Sequence, residues 1–241
     1  MLTRLRQIFA SSLDLFLPPA CLLCGQTLST LSGPQAFCED CLAAVTPLGR
    51  THCNRCAQPF PNSPSNHLCG TCLKRPPAFS MVYAASLYQG SIKEAIHRMK
   101  YRNQLTLARH LGQLLITVFD AAEKTFAPDI IVPVPLHPDR LRQRGYNQAV
   151  EIARPIAQRL NVPLNSTLLR RIRITPQQQG LTAAERRSNL RKAFAVTTIA
   201  SAHKVLLIDD VMTTGETVRE CCRTLLAGGV EEVQVAVVAR A

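Results

Sequence analysis

Residues Val205–Val218 read VLLIDDVMTTGETV. Val205–Ile208 is a β-branched and leucine run, the pattern of a strand buried on both faces of a parallel sheet. Asp209 and Asp210 end it and place two carboxylates at the carboxyl edge of that sheet, where ligands of open α/β sheets bind. Thr213, Thr214, Gly215 and Thr217 then make a hydroxyl-rich turn into a helix that runs to about Ala227. Gly215 lets the backbone approach a ligand closely, and the helix start offers unpaired N–H groups and a positive dipole end. A sugar phosphate suits this arrangement. The carboxylates take the ribose hydroxyls, directly or through Mg²⁺, and the turn cradles the phosphate. An ordinary Thr-capped helix would not need two adjacent acids before such a turn.

At these residues the sequence resembles the phosphoribosyl-diphosphate (PRPP) motif of type I phosphoribosyltransferases: four apolar residues, two acids and Thr-Thr-Gly-x-Thr. That resemblance speaks to fold and ligand type and names no acceptor.

A chain of 241 residues suits one full α/β domain with a smaller appendage. The net charge of +12 is unevenly spread. Asp129–Ser201 holds twelve Lys and Arg against four Asp and Glu, whereas Ala202–Ala241 holds four against six. The positive field therefore belongs to one stretch, and polyanions (diphosphate, nucleic acid or both) are the expected partners. Tryptophan is absent, which removes one common base-stacking residue. No apolar run approaches a membrane span. Met1–Ala20 places Arg4 and Arg6 before an apolar stretch, but Asp14 interrupts it and no small-x-small cleavage site follows. Leu2, Leu5, Ile8, Phe9, Leu13 and Phe16 recur at helical spacing and predict an amphipathic helix packed on its own protein. A cytoplasmic location is expected.

Eight of the ten cysteines form four Cys-x-x-Cys pairs, Cys21/Cys24, Cys38/Cys41, Cys53/Cys56 and Cys69/Cys72. Two thiolates at this spacing form a knuckle that grips one side of a tetrahedral ion, and a second knuckle closes the site. Two such halves in tandem read as two Cys₄ ribbons holding two structural Zn²⁺ ions. Regular pairs suit metal better than disulfides in a reducing compartment. Neighbouring pairs are expected to share an ion, with a cross-braced pairing as the alternative. His52 and His67 are spare beside four thiolates per ion. The segment is too short and proline-rich to bury much core, so metal is expected to supply most of its folding free energy. The expected division is a helix over 1–20, a double ribbon over 21–77 and an α/β domain over 78–241.

Within that domain Met81–Tyr88 reads as a strand. Helices follow at Ser91–Tyr101, with Ile92, Ala95, Ile96 and Met99 inward, and at about Leu105–Glu123. Lys100, Tyr101 and Arg102 fall between them, facing either a phosphate or solvent. Ile130–Val134 is the next buried strand. Pro135–Pro138 and then Arg140, Arg142 and Arg144 read as a tightly turning diphosphate loop, since the arginine fork pairs two phosphate oxygens at once. His137 is either an acid–base group or a loop histidine bonded to backbone. Gly145–Gln148 opens a helix to Leu160. Leu168–Ile172 and Ala193–Val196 are short strands around the polar stretch Arg173–Leu190, a candidate lid. Cys221 and Cys222 read as small packed residues on the helix behind the turn. Val233–Ala239 ends the sheet.

Together, the double ribbon, Arg142-x-Arg144-Gly145-Tyr146-Asn147-Gln148, and Arg173-x-Thr175-x-x-Gln178-x-x-Leu181 with Arg186, Asn189 and Phe194 precede the PRPP motif. That order resembles the ComF (GntX-type, amidophosphoribosyltransferase-like) family over nearly the whole chain. The resemblance implies a type I phosphoribosyltransferase-like parallel sheet with helices on both faces, and a role in natural competence, DNA uptake or DNA utilisation. It also implies that Asp209 and Asp210 hold ribose and Mg²⁺, and that Thr213, Thr214, Gly215 and Thr217 hold the 5-phosphate. His137, Arg140, Arg142 and Arg144 would face the diphosphate, and Arg173, Gln178 and Arg186 would belong to the closing loop. No base-reading hood and no amidotransferase cysteine are identifiable. Three readings follow: a single-stranded DNA factor beside a competence helicase or DNA-processing protein, a phosphoribosyltransferase with an unknown nitrogenous acceptor, or a PRPP-regulated docking module carried by the ribbons.

Overall fold

The computed structural model describes residues 18–28, 37–60, 65–122, 126–173, 190–197 and 203–241. The helix expected over 1–20 falls almost wholly outside them, as do Gln178 and Arg186. In the described residues the chain forms α1 (Glu39–Ala43), α2 (Gly70–Lys74), β1 (Val82–Leu87), α3 (Gly90–Tyr101), α4 (Thr106–Ala121) and β2 (Ile130–Pro133). Then come α5 (Pro138–Arg144), α6 (Gln148–Leu160), β3 (Leu169–Arg171), β4 (Phe194–Val196), β5 (Lys204–Met212), α7 (Glu216–Ala227) and β6 (Glu232–Arg240).

Four parallel strands make the main sheet in the order β1-β6-β5-β2. Helices cover both faces, as a parallel sheet with apolar residues on each side requires. Strand alternation sorts the residues of β5. Leu206 and Ile208 join the layer built by α3, α4 and α6, while Val205 and Leu207 join the layer that holds α7. Against the former layer Gly112 of α4 meets α6 so closely that a Cβ there would lie 2.5 Å from Cγ of Pro155. The strands β3 and β4 pair antiparallel as a separate two-stranded ribbon packed beside α7 and do not extend the main sheet.

The two ribbons straddle β1, one on each face. Cys21, Leu23, Leu28, Phe37 and Cys38 pack into the α3/α4/α6 layer, and Cys53, Cys56, Ala57 and Cys72 into the α7 layer. The chain between the ribbons runs along the free edge of β1, where Leu87 N–H donates to the Thr46 carbonyl at 2.9 Å. An edge strand is thereby covered. The ribbons thus share the core of the α/β domain, so apolar packing anchors them alongside the metal expected for so short and proline-rich a segment.

One strand boundary differs from expectation. β5 does not stop at Ile208 but runs through both acids to Met212, because β6 pairs with it as far as Met212 and Arg240. β2 ends earlier, opposite Ile208. Asp209 and Asp210 therefore stand on a strand that overshoots its neighbour at the carboxyl edge.

Candidate functional site

The overshoot of β5 sends its two acids to opposite faces. Asp210 is buried on the α3 side, where Lys100 Nζ reaches its Oδ2 at 2.6 Å. Burial alone would depress the lysine, but the Asp210 and Asp209 carboxylates outweigh it and hold the ammonium above the usual lysine value. Asp209 points toward the α7 side. Burial and the neighbouring Asp210 charge push its carboxyl well above the ordinary carboxylate range, against the opposing pull of Lys100 and the Asp210 N–H.

Beyond the acids, Met212–Thr217 curls into α7, and Asp209 with residues 211–218 lines a small polar cleft. Gly215 adopts φ 77°, a left-handed conformation, as the residue before α7. It contributes no side chain to cap the helix, whereas His137 and Asn147 cap α5 and α6. The first turn of α7 lines the cleft and brings the positive dipole end to it, with Thr213 and Thr214 exposed on the approach. Behind it Cys221 and Cys222 are fully buried, and burial raises both thiols, consistent with packing rather than reactivity.

On the other side of β5, Val134 N–H donates to the Ile208 carbonyl at 2.8 Å, so the segment after β2 emerges beside the acids. The three arginines lie here on the short helix α5, not on a tightly turning loop. Pro138 at its first turn, the His137 cap and left-handed Gly145 at its end explain the helix. His137 Nδ1 accepts the Asp139 N–H at 3.2 Å, the backbone-bonded alternative of its two readings. Arg142 pairs with Asp139 in solvent, and Arg144 donates to Gln148 Oε1 at 2.6 Å and lies over the Tyr101 ring at 5.8 Å from its centroid. The Gly-Tyr-Asn-Gln motif locks this corner. Tyr146 O–H donates to the Met99 carbonyl, and Asn147 Nδ2 donates to the Val134 carbonyl at 3.0 Å. Arg173 is exposed just beyond β3.

Sequence reading missed the Lys100–Asp210 pair. Its signal was the lysine one residue before the end of a helix that follows β1, and only the sheet order brings that helix end to β5.

In the cysteine segment the thiols gather by neighbouring knuckles, Cys21, Cys24, Cys38 and Cys41 in one cluster and Cys53, Cys56, Cys69 and Cys72 in the other. The sulfurs of each cluster lie within 4.8 Å of one another, with Cys24–Cys38 at 3.5 Å and Cys56–Cys69 at 3.6 Å. A tetrahedral zinc at ~2.3 Å from each sulfur needs about 3.8 Å between sulfurs. All ten cysteines are free, so the clusters are not disulfides. Burial opposes ionisation of Cys21 and Cys53, yet backbone N–H groups aimed at the sulfurs bring both to about 6. Burial pushes Cys56 up to about 11. Cys21 and Cys53 thus ionise readily, whereas Cys41, Cys56 and Cys72 are held up by burial and by the neighbouring thiols. The two clusters fit two structural zinc ions. His52 and His67 are engaged elsewhere, donating to the Gly49 and Ser65 carbonyls at 3.3 and 3.2 Å.

Comparisons agree with this architecture. The double zinc ribbon domain matches residues 12–73, and the phosphoribosyl transferase domain matches residues 146–241. Competence protein F of Haemophilus influenzae is 36% identical over 179 residues, 72% of this chain and 78% of that protein. The DNA utilization protein YhgH of Escherichia coli is 33% identical over 225 residues, 92% of this chain and 96% of its own. Competence protein ComFC of Streptococcus pneumoniae is 24% identical over 224 residues, 89% and 96% of the two chains. No described helix is long and apolar enough to cross a membrane. With a double zinc ribbon docked on a phosphoribosyltransferase-type sheet and 33% and 36% identity to the Escherichia and Haemophilus proteins over most of its length, the chain belongs to the ComF family of competence and DNA utilisation proteins.

Proposed function

We propose that this chain serves DNA uptake or utilisation and holds a PRPP-type sugar phosphate at the turn after β5. The observation that carries the ligand reading is the join of β5 to α7. An acid at the sheet edge, a left-handed glycine and the positive end of a helix converge on one polar cleft. Thr213, Thr214, Gly215 and Thr217 hold the 5-phosphate through N–H and hydroxyl donors. Asp209 takes a ribose hydroxyl or Mg²⁺, while Asp210, on the opposite face and paired with Lys100, fixes the strand end that presents it. Bound Mg²⁺ supplies charge neutralisation for the diphosphate. Asp209 fits that role, since its carboxyl lies at the cleft and is costly to charge without a cation. Arg140 and Arg144 supply positive charge from the α5 side, with Arg142 further out.

Single-stranded DNA is the second partner in this reading. Tyr101 is 64% exposed, its ring 4.8 Å from His97 and under Arg144, and Arg102 follows it in the chain with Arg109 exposed on α4. An exposed aromatic among cations is the usual platform for sequence-tolerant single strands. Binding is measured by fluorescence anisotropy with a labelled oligonucleotide across a salt series. The reading predicts affinity that falls steeply with salt and weakens in Tyr101→Ala. Salt-independent affinity, or none, contradicts it. PRPP binding is tested separately by calorimetry with Mg²⁺, against Asp209→Asn/Asp210→Asn.

A further inference from the structure

Arg240, at the end of β6, is 4% exposed, and its guanidinium joins two parts of the molecule. On one side Nε donates to the Cys56 carbonyl at 3.1 Å and Nη2 to Oε1 of Gln58 at 2.6 Å. On the other, Nη1 donates to the Met212 carbonyl at 2.9 Å and to the Thr213 carbonyl. Cys56 belongs to the second cysteine cluster, while Met212 and Thr213 open the anion turn. The turn rests directly on Met212, since a Cβ at Gly215 would lie 2.4 Å from its Cε.

A second strut runs parallel. Arg219 of α7, 6% exposed, donates to the Arg75 carbonyl at 2.9 Å and lies 3.9 Å from Sγ of Cys72. Arg75 in turn pairs with Glu216, the first residue of α7, at 3.8 Å. Among the described residues the first cluster shows no such route. It packs on the opposite face of the sheet, and its segment is tied to α3 through Arg98 Nη1 and the Leu22 carbonyl at 3.2 Å.

We infer that Arg240 is a positioning residue through which the second cysteine cluster, and not the first, holds the anion turn in shape. A metal ion fixes the Cys53–Cys56 knuckle and hence the Cys56 carbonyl. A buried guanidinium cannot leave its donors unpaired, so a displaced Cys56 carbonyl lets Arg240 shift and slackens the carbonyls of Met212 and Thr213. Metal at the second cluster and an anion at the turn then favour each other by the same factor. That consequence rests on the ligand reading above, whereas the mechanical link does not.

The test therefore reads the backbone without any ligand. Amide hydrogen exchange is followed in the whole protein for peptides spanning 211–218, with 82–87 as reference, and zinc content is measured alongside. Arg240→Gln is expected to keep both zinc ions yet raise exchange in the turn by about tenfold. Cys69→Ala is expected to lose one zinc and loosen the turn equally, while Cys24→Ala loses one zinc and leaves the turn protected. Should Arg240→Gln fail to fold, Arg240→Lys, which keeps the charge but not the fork, is expected to give a smaller rise in the same peptides. An unchanged turn in the Arg240 variant, or equal loosening from both cysteine variants, overturns the inference. Failure of PRPP to bind would leave these results standing.

Discussion

Lys100 Nζ pairs with Oδ2 of Asp210 at 2.6 Å, fastening the end of α3 to the carboxyl edge of the central strand. The pair couples a helix that begins after an edge strand to the acid pair at the heart of the sheet. Removing one member leaves the other's charge in a largely dry position, which in buried pairs typically costs about 3–5 kcal/mol. Lys100→Met is expected at the lower end, about 3 kcal/mol, because part of the lysine reaches solvent. Urea unfolding checks this. Adding Asp210→Asn should cost little more, and strict additivity of the two would show that the pair contributes nothing.

Asp209 predicts an unusual pH response. Its folded-state pKa lies above the unfolded value of about 3.9, so the folded protein holds this proton more tightly. The stability it contributes is present below the unfolded value and is lost as pH rises through the folded one. Asp209→Asn should therefore raise Tm at pH 7, with the gain shrinking toward pH 4. A lowered Tm at pH 7 would contradict the assignment. The same substitution should weaken PRPP binding, as a functional acid kept at a cost in stability would.

Packing between α4 and α6 makes a prediction unrelated to ligand. A Cβ at Gly112 would fall 2.5 Å from Pro155 Cγ and 2.6 Å from the Ile152 carbonyl. Gly112→Ala should destabilise by about 1–3 kcal/mol despite alanine's better helix propensity. Equal or greater stability of the variant would show that the helices separate freely.

The ribbon region makes a prediction opposite to its modular appearance. Phe37 and Cys38 complete one layer of the core and Cys53, Cys56 and Cys72 the other, and the chain near Thr46 and Pro47 covers the β1 edge. A fragment starting at Ala78 should be aggregated or molten by gel filtration and near-ultraviolet circular dichroism. A monomeric, cooperatively melting fragment would restore the view of the ribbons as a detachable docking module.

Much of this was legible in local patterns. The 3.6-residue period over Ile92, Ala95, Ile96 and Met99 gave the buried face of α3 residue for residue, and knuckle spacing gave the two clusters. Local pattern could not reveal the end of β5. Asp-Asp looks like a terminus, but pairing with β6 carries the strand onward. Nor could it show that Lys100 meets Asp210, since that contact depends on β1 and β5 being separated by a single strand. The three arginines after Pro138 read as a loop because Asp139 and Arg142 conceal a short capped helix.

The measurement closest to the central claim is calorimetric titration of the zinc-loaded protein with PRPP and Mg²⁺, repeated on Asp209→Asn/Asp210→Asn and on Thr214→Ala. The account predicts saturable one-site binding that the double variant abolishes and Thr214→Ala weakens by about tenfold, the loss of one charge-assisted hydrogen bond. Absence of heat in protein shown to be folded, or binding unchanged in the double variant, would contradict it.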